Sequence, residues 1–203
     1  MKSWQHLVDN GFAEDVPEEL YKKMFEEMFK FFADLGLEFS NELQAKLRGH
    51  SEVIRFKKGA VILDYPEFRS HIIFAAMGLV SIELQQDGKN VPIWFLEGNG
   101  VIAPFDPPGV GAPIAERFVA AEETDCIAVH LSHIERLVKY HPVLVSIMYK
   151  LPEYQLERAA RWLEGVGLTG AEKYNWFYKE FPAVWSVFRI LCWLRFLGFR
   201  KGS

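Results

Sequence analysis

The residues of this chain that could do chemistry are few and scattered. Six histidines stand at His6, His50, His71, His130, His133 and His141. A metal centre on facing strands needs a His-x-His pair with a Glu and a further His close by. His130-Leu-Ser-His133 has the wrong spacing, and no Glu follows at the right place, so no metal ligands are assigned. No Ser/His/Asp arrangement or phosphate-binding glycine loop stands out either, so neither a catalytic residue nor a cofactor is expected. Cys126 and Cys192 lie in apolar runs far apart, which reads as two buried free thiols in a reducing compartment. Two basic features remain. Arg117 follows a long loop, where a guanidinium can pair with a phosphate or simply face solvent. Arg189, Arg195, Arg200 and Lys201 occupy an acid-free stretch from Trp185 to Ser203. Such bases can contact a nucleic-acid backbone, or can be ordinary charges on a partly exposed helix.

The chain has 203 residues, half of them hydrophobic, which is enough for a substantial core. Its net charge of −4 gives no global attraction for a polyanion, so any DNA contact must rest on a local patch. The N-terminus, MKSWQHLVDNGFAEDVPEEL, turns acidic before an apolar run can build, which argues against a secretory signal. Ile72–Val80 is apolar but far short of the ~20 residues a membrane-spanning helix needs. A cytoplasmic protein without membrane contact is expected.

The elements that would position these residues centre on Phe56–Leu131. Val61–Leu63, Ile72–Ala75, Leu79–Leu84, Val91–Phe95, Phe118–Ala121 and Ile127–Leu131 are short apolar runs separated by turn signals. Asp87-Gly88 between two of them predicts a tight hairpin, because Gly accepts the positive φ such a turn requires. This pattern predicts an antiparallel barrel or jelly roll. Before it, Leu20, Met24, Met28, Phe31 and Leu35 recur at helical spacing, with Asp15 as a capping residue, Pro17 in the first turn and Gly36 as the stop. Their Met/Phe stripe is expected to be core or a dimer contact. A short helix follows Ser40. After the barrel, Ser132 is placed as the cap of a helix over His133–Tyr140, and His141-Pro142 restarts a long helix. Leu144, Met148, Leu151, Gln155, Ala159, Trp162 and Val166 form one stripe along it, and Val145, Tyr149, Leu156, Ala160 and Leu163 form another. A helix apolar on two sides must bury two faces, one on its own barrel and one against a symmetry mate. Pro152 is expected to kink it. Gly165 and Gly167 read as a hinge, followed by a helix over Ala171–Phe181.

In this order the parts resemble the catabolite-activator/Fnr (Crp/Fnr) superfamily of transcription regulators. Phe56-Lys57-Lys58-Gly59 resembles the basic-Lys-Gly motif before the family's second strand, and Ile72–Val80 resembles the strand and turn that follow. Asp87-Gly88-Lys89 with Val91–Phe95 resembles the family hairpin, and Ala121-Glu122-Glu123-Thr124 the segment before the last barrel strand. His141-Pro142 resembles the usual start of the long helix. LTGAEKYNWFYKEFP, residues 168–182, resembles the link to the DNA-binding domain. The resemblance covers about residues 45 to 197.

It implies an α+β fold: an antiparallel β jelly roll of the cyclic-nucleotide-binding type, flanked by N-terminal helices, a long dimerisation helix and a truncated C-terminal helix-turn-helix. The implied divisions are 1–50 for the N-terminal helices, 51–132 for the jelly roll, 133–166 for the dimerisation helix and 167–203 for the incomplete helix-turn-helix. The implied effector pocket would be lined by Gly98, Val101, Ala103, Pro104, Arg117 and Phe118. Family members that bind cAMP carry a Glu where this chain has Pro104, and Ser-Ala where Phe118-Val119 follow Arg117. Proline offers neither a carboxylate nor a backbone donor, so cAMP binding in the family's manner is not expected. Leu144, Met148, Leu151, Ala159 and Trp162 would form the dimer helix, and Arg195, Arg200 and Lys201 the DNA contacts. Trp193–Phe199 resembles the first helix of the helix-turn-helix, with Leu194 where a small Ala is usual, and Ser203 comes where the recognition helix should begin. The function implied is a homodimeric transcription regulator with an unidentified effector. The alternative is a dimeric interaction protein of the same fold that does not bind DNA.

Overall fold

The computed structural model describes residues 11–12, 16–64, 70–86, 88–102 and 116–184. The chain runs β1 (Gly11–Phe12), α1 (Glu18–Asp34), α2 (Asn41–Gly49), β2 (Ser51–Phe56), β3 (Val61–Asp64), β4 (His71–Met77), β5 (Leu79–Gln86), β6 (Lys89–Glu97), β7 (Gly100–Ile102), β8 (Glu116–Ala120), β9 (Thr124–His130), α3 (Leu131–Val138), α4 (Val143–Gly167) and α5 (Gly170–Glu180). The strands form two antiparallel sheets, ordered β1-β2-β9-β4-β7 and β3-β8-β5-β6. The expected α+β architecture with an antiparallel two-sheet body is what folds.

Strand alternation divides the five-stranded sheet into two buried faces. Ile54, Phe56, Ile73, Ala75, Cys126 and Ala128 face the interior, where they meet Val80, Ile82, Trp94, Leu96, Phe118 and Ala120 of the other sheet. The intervening residues Phe74, Ala76, Val101, Ile127 and Val129 lie under the helices instead. There they pack on Met24, Phe25, Met28, Phe31 and Phe32 of α1, Leu43 and Leu47 of α2, Leu137 of α3, and Leu144, Ile147 and Leu151 of α4. The Met/Phe stripe is therefore core. Its rings interlock, with Phe31 5.5 Å from Phe74 and 5.3 Å from Tyr154 between centroids. Arg55 pins β2 on β9 by a two-armed ion pair to Asp125, at 2.6 and 3.2 Å, directly across the register.

Local signals hold in most places. β5 and β6 pair down to Gln86 opposite Lys89, as the expected hairpin requires, and Gly88 takes φ +72°. Gly36 at φ +79° ends α1, and the Ser40 hydroxyl caps α2 by accepting from the Leu43 N–H. Several boundaries differ. α3 begins at Leu131, not His133, and its cap is His130, whose ring accepts from the Ser132 N–H; Ser132 is inside the helix. Pro17 and Pro142 sit at the cap positions before α1 and α4, not in the first turns. α4 continues as helix through Pro152 and through Gly165. Gly165 is no hinge: a Cβ there would run into the Trp176 ring, so glycine is what lets α5 close on α4. The chain turns instead at Leu168–Thr169, where Thr169 and Glu172 form a capping box for α5. β1, β2 and β7 were not anticipated. Cys126 is buried as expected, and burial pushes its thiol pKa well up. The expectations for Asp15, Cys192 and the helix-turn-helix lie outside the described residues.

Gly78 links β4 to β5 at φ +94°, and a Cβ there would meet the Glu123 carbonyl oxygen at 2.5 Å and the Thr124 Cα at 2.8 Å. Both obstacles are backbone. Gly78→Ala is expected to cost about 2 kcal/mol or more from strain and overpacking. Urea denaturation of the variant checks this, and a loss below ~0.5 kcal/mol would contradict the stated geometry.

Candidate effector site and the faces of the long helix

The turn joining β6 to β7 is tied down on two sides. Gly98 takes φ +57° and donates its N–H to the Gly78 carbonyl at 2.8 Å. Asn99, at φ +38°, donates from its amide to the Glu27 carboxylate of α1 at 2.8 Å. Glu97, just before the turn, accepts the backbone N–H groups of Ala183 and Val184 at 2.8 and 3.3 Å. Burial raises the Glu97 carboxyl pKa, these two hydrogen bonds offset only part of the rise, and Glu180 adds to it. The same contact is sealed by aromatics: Phe181 lies 4.7 Å from Trp94 and 5.6 Å from Phe95, and Phe177 lies 6.0 Å from Phe95. The turn thus connects α1 with the segment that follows α5. Neither Glu97 nor Asn99 could be singled out in the sequence, because their partners are 86 and 72 residues away.

The described pocket candidates do not converge on one cavity. Phe118 is buried in the interior between the sheets. Val101 is buried on the helix-covered face. Arg117 alternates with Phe118 along β8 and pairs in register with Glu83 of β5 and Asp64 of β3. Its Nε lies 3.8 Å from the Asp64 carboxylate. Burial raises the Glu83 carboxyl pKa, Arg117 opposes that rise, and Asp64 adds to it. The guanidinium therefore faces two carboxylates of its own sheet, which offset the charge a phosphate would need. Ala103 and Pro104 lie outside the described residues. A pocket on the helix side is lined by Met28, Phe32, Phe74, Ile127, Leu144, Ile147 and other apolar residues. Its lining side chains offer no charge or hydrogen-bonding group for a phosphate or ribose. Among the described residues, no group of His, Cys, Asp and Glu is arranged to hold a metal ion, and no helix is long and apolar enough to cross a membrane.

The long helix α4 divides its two apolar stripes differently from the sequence pattern. Leu144, Ile147 and Leu151 are buried on the sheet, and Trp162 packs against the interior cluster beside α5. Leu144 and Leu151 thus belong to the intramolecular face. Val145, Met148, Tyr149, Leu156, Leu163 and Val166 remain exposed, with Met148 at 62%, Tyr149 at 73% and Leu156 at 72%. Ala159 is exposed beside them. Arg195, Arg200 and Lys201 lie outside the described residues.

Comparison with known proteins identifies the fold. No protein-family model and no curated protein sequence matches the chain. Solved structures do. A cyclic nucleotide-binding domain from Methylobacillus flagellatus KT superposes with a TM-score of 0.63 at 16% identity, covering 79% of this chain and 90% of that one. A CooA mutant from Carboxydothermus hydrogenoformans gives 0.50 at 16% identity, covering 68% and 88%. The regulatory subunit of a cAMP-independent protein kinase A from Trypanosoma brucei gives 0.50 at 16% identity, covering 69% and 51%. The two-sheet body is therefore a jelly roll of the cyclic-nucleotide-binding-domain type. At these identities the likeness concerns the fold alone.

Arg117→Met leaves Asp64 and Glu83 facing each other without the cation. The expected loss is about 1 kcal/mol near neutral pH, since the group is partly exposed. Because repulsion raises the folded-state carboxylate pKa further, the folded protein binds a proton more tightly than the unfolded chain. The loss should therefore shrink as pH falls towards the ordinary carboxylate range. Denaturation at neutral and mildly acidic pH checks this; a penalty that grows on acidification would contradict it.

Proposed function

We propose that this chain is a homodimeric regulator of the catabolite-activator/Fnr type, whose jelly roll does not take cAMP in that family's manner. The observation that carries this reading is the free face of α4. Six exposed apolar side chains run along one side of a helix whose other side is already buried on its own domain. Contiguous exposed apolar surface of this kind marks an interaction site, and a helix face of this length suits its own copy. Two α4 helices side by side would join the domains and let a change at one jelly roll move the other. The non-cAMP part rests on Arg117, whose guanidinium is engaged by the Asp64 and Glu83 carboxylates of its own sheet, and on Pro104 in place of a Glu. Contact with the DNA phosphate backbone is proposed through Arg195, Arg200 and Lys201, with the effector unidentified. An interaction protein that dimerises without binding DNA is the competing reading.

Sedimentation analysis is expected to show a dimer for the wild type. Replacing Met148 and Leu156 together by Asp should give a folded monomer, and a wild-type monomer at tens of micromolar would sink the dimer. Fluorescence anisotropy on labelled promoter-region DNA, titrated with salt and with random competitor, then separates the two readings. Binding that survives competitor supports the regulator. Binding that is absent, or is lost with competitor and modest salt, leaves the DNA-blind dimer.

A further inference from the structure

Four histidines from four elements meet at one end of the five-stranded sheet. His71 opens β4 and His130 closes β9; the two are register partners, with rings 4.7 Å apart in an edge-to-face arrangement. His133, in the first turn of α3, lies 6.0 Å from His130 and 4.7 Å from His50, the residue that ends α2. We propose that this imidazole layer is an acid-sensitive joint: neutral, it holds the start of α3 against the sheet, and protonated, it releases α3 and the beginning of α4.

The polar contacts fix which nitrogen must be unprotonated. His130 Nδ1 accepts the Ser132 backbone N–H at 3.1 Å and lies 2.8 Å from the Ser132 hydroxyl. This makes His130 the N-cap of α3. A ring nitrogen can accept only while it carries no proton. Protonation turns that acceptor into a donor aimed at another donor. It also sets a positive charge at a helix N-terminus, where the macrodipole already places one. Asn, Asp, Ser and Thr caps have no such dependence near neutral pH.

Among the described residues, few groups near the layer could neutralise added charge. His71 is buried, its Nδ1 2.8 Å from the Ser70 hydroxyl. Burial, followed by the fields of His130 and His133, pushes its pKa down to about 4. His133 Nδ1 faces the His50 carbonyl at 3.3 Å. From β2, Glu52 faces His133, and its own carboxyl is raised by burial. The last turn of α2 brings Lys46 and Arg48, and α3 carries Glu135 and Arg136. Lys46 contacts the Nε2 of His141 at 3.3 Å, as well as Glu42. Among the described residues, Glu52 is the carboxylate that faces His133; it is exposed, and a single carboxylate balances at most one imidazolium.

The sign follows from His71. Its folded-state pKa lies below the ordinary histidine value, so the closed joint binds fewer protons than the open one. Acidification from about pH 6.5 downward therefore favours opening. The consequence reaches α4 because α3 and α4 are joined by short contacts. The His141 N–H donates to the Leu137 carbonyl, the Leu144 N–H donates to the His141 carbonyl, and Leu137, Leu144 and Ile147 share one buried cluster. This reading requires neither DNA binding nor dimerisation.

Amide hydrogen exchange of the intact chain, corrected for intrinsic rate, tests it at about pH 7.5 and about pH 5.5. Protection over residues 131–147 is expected to fall roughly five- to tenfold on acidification, the size that loss of an N-cap carries, while β5, β6 and β8 keep theirs. His130→Asn supplies a cap that does not titrate, and should abolish that pH dependence while keeping the neutral-pH protection. Nitrogen-15 NMR of the wild-type rings should show the His130 Nδ1 as an unprotonated acceptor at the higher pH. Equal protection of residues 131–147 at both pH values, an equal loss in all strands, an unchanged loss in His130→Asn, or a protonated Nδ1 at the higher pH would each overturn the proposal.

Discussion

The constraint on which the rest depends is that the central strands of the five-stranded sheet are buried on both faces. β4 from Ile73 to Ala76 and β9 from Cys126 to Val129 carry apolar side chains alternately inward and outward, so neither face can be left to solvent. The inner face is closed by the second sheet. The outer face requires α1, α2, α3 and the first half of α4. Burial at about 25 cal/mol per Å² makes that cover a condition of folding. A one-residue slip of β9 would exchange the two sets, and the Arg55–Asp125 pair across β2 and β9 fixes the register against it.

This double burial makes α4 the point where the body of the domain meets its outside. Leu144, Ile147 and Leu151 are committed to the sheet, so the other side of the helix is free to carry Met148, Tyr149 and Leu156 outward. Further along, Gly165 lets the Trp176 ring of α5 approach, and α5 then lays Phe177 and Phe181 over Trp94 and Phe95. The long helix is therefore in contact with the helix-covered layer near its start and, through α5, with the strand before the Gly98 turn near its end. Displacement at either place can be felt along its free face.

Charges mark the same junctions. Glu97 holds Ala183 and Val184 beside the turn, Asn99 holds Glu27, and Arg117 is balanced within its own sheet. His130 caps α3 where the sheet ends. Each of these ties a loop or a helix terminus to an element distant in sequence.

Much of this was legible without coordinates. The apolar runs, the Asp87-Gly88 hairpin, Gly36 as a stop and Ser40 as a cap are local signals, set by backbone sterics and by side chains within four residues. They gave the jelly-roll reading and the two-sided character of α4. β1 and β7 were missed because two or three residues carry no readable period, and β2 because Ser51, Glu52 and Arg55 leave no apolar run in SEVIRF. The cap of α3 was placed on Ser132, because serine is the commoner cap and the orientation of the His130 ring depends on His71 across the sheet. Periodicity likewise could not say that Leu144 and Leu151 face inward while Met148 faces out, since both stripes are apolar. Nor could it separate Val101, Phe118 and Arg117, which alternation and register send to three different surroundings. The sequence by itself determined most of the strands and helices, because those choices rest on neighbours in the chain. Which side chains meet, and so where charge is balanced and which helix face is left open, was decided only by the tertiary structure, because those contacts join residues tens of positions apart.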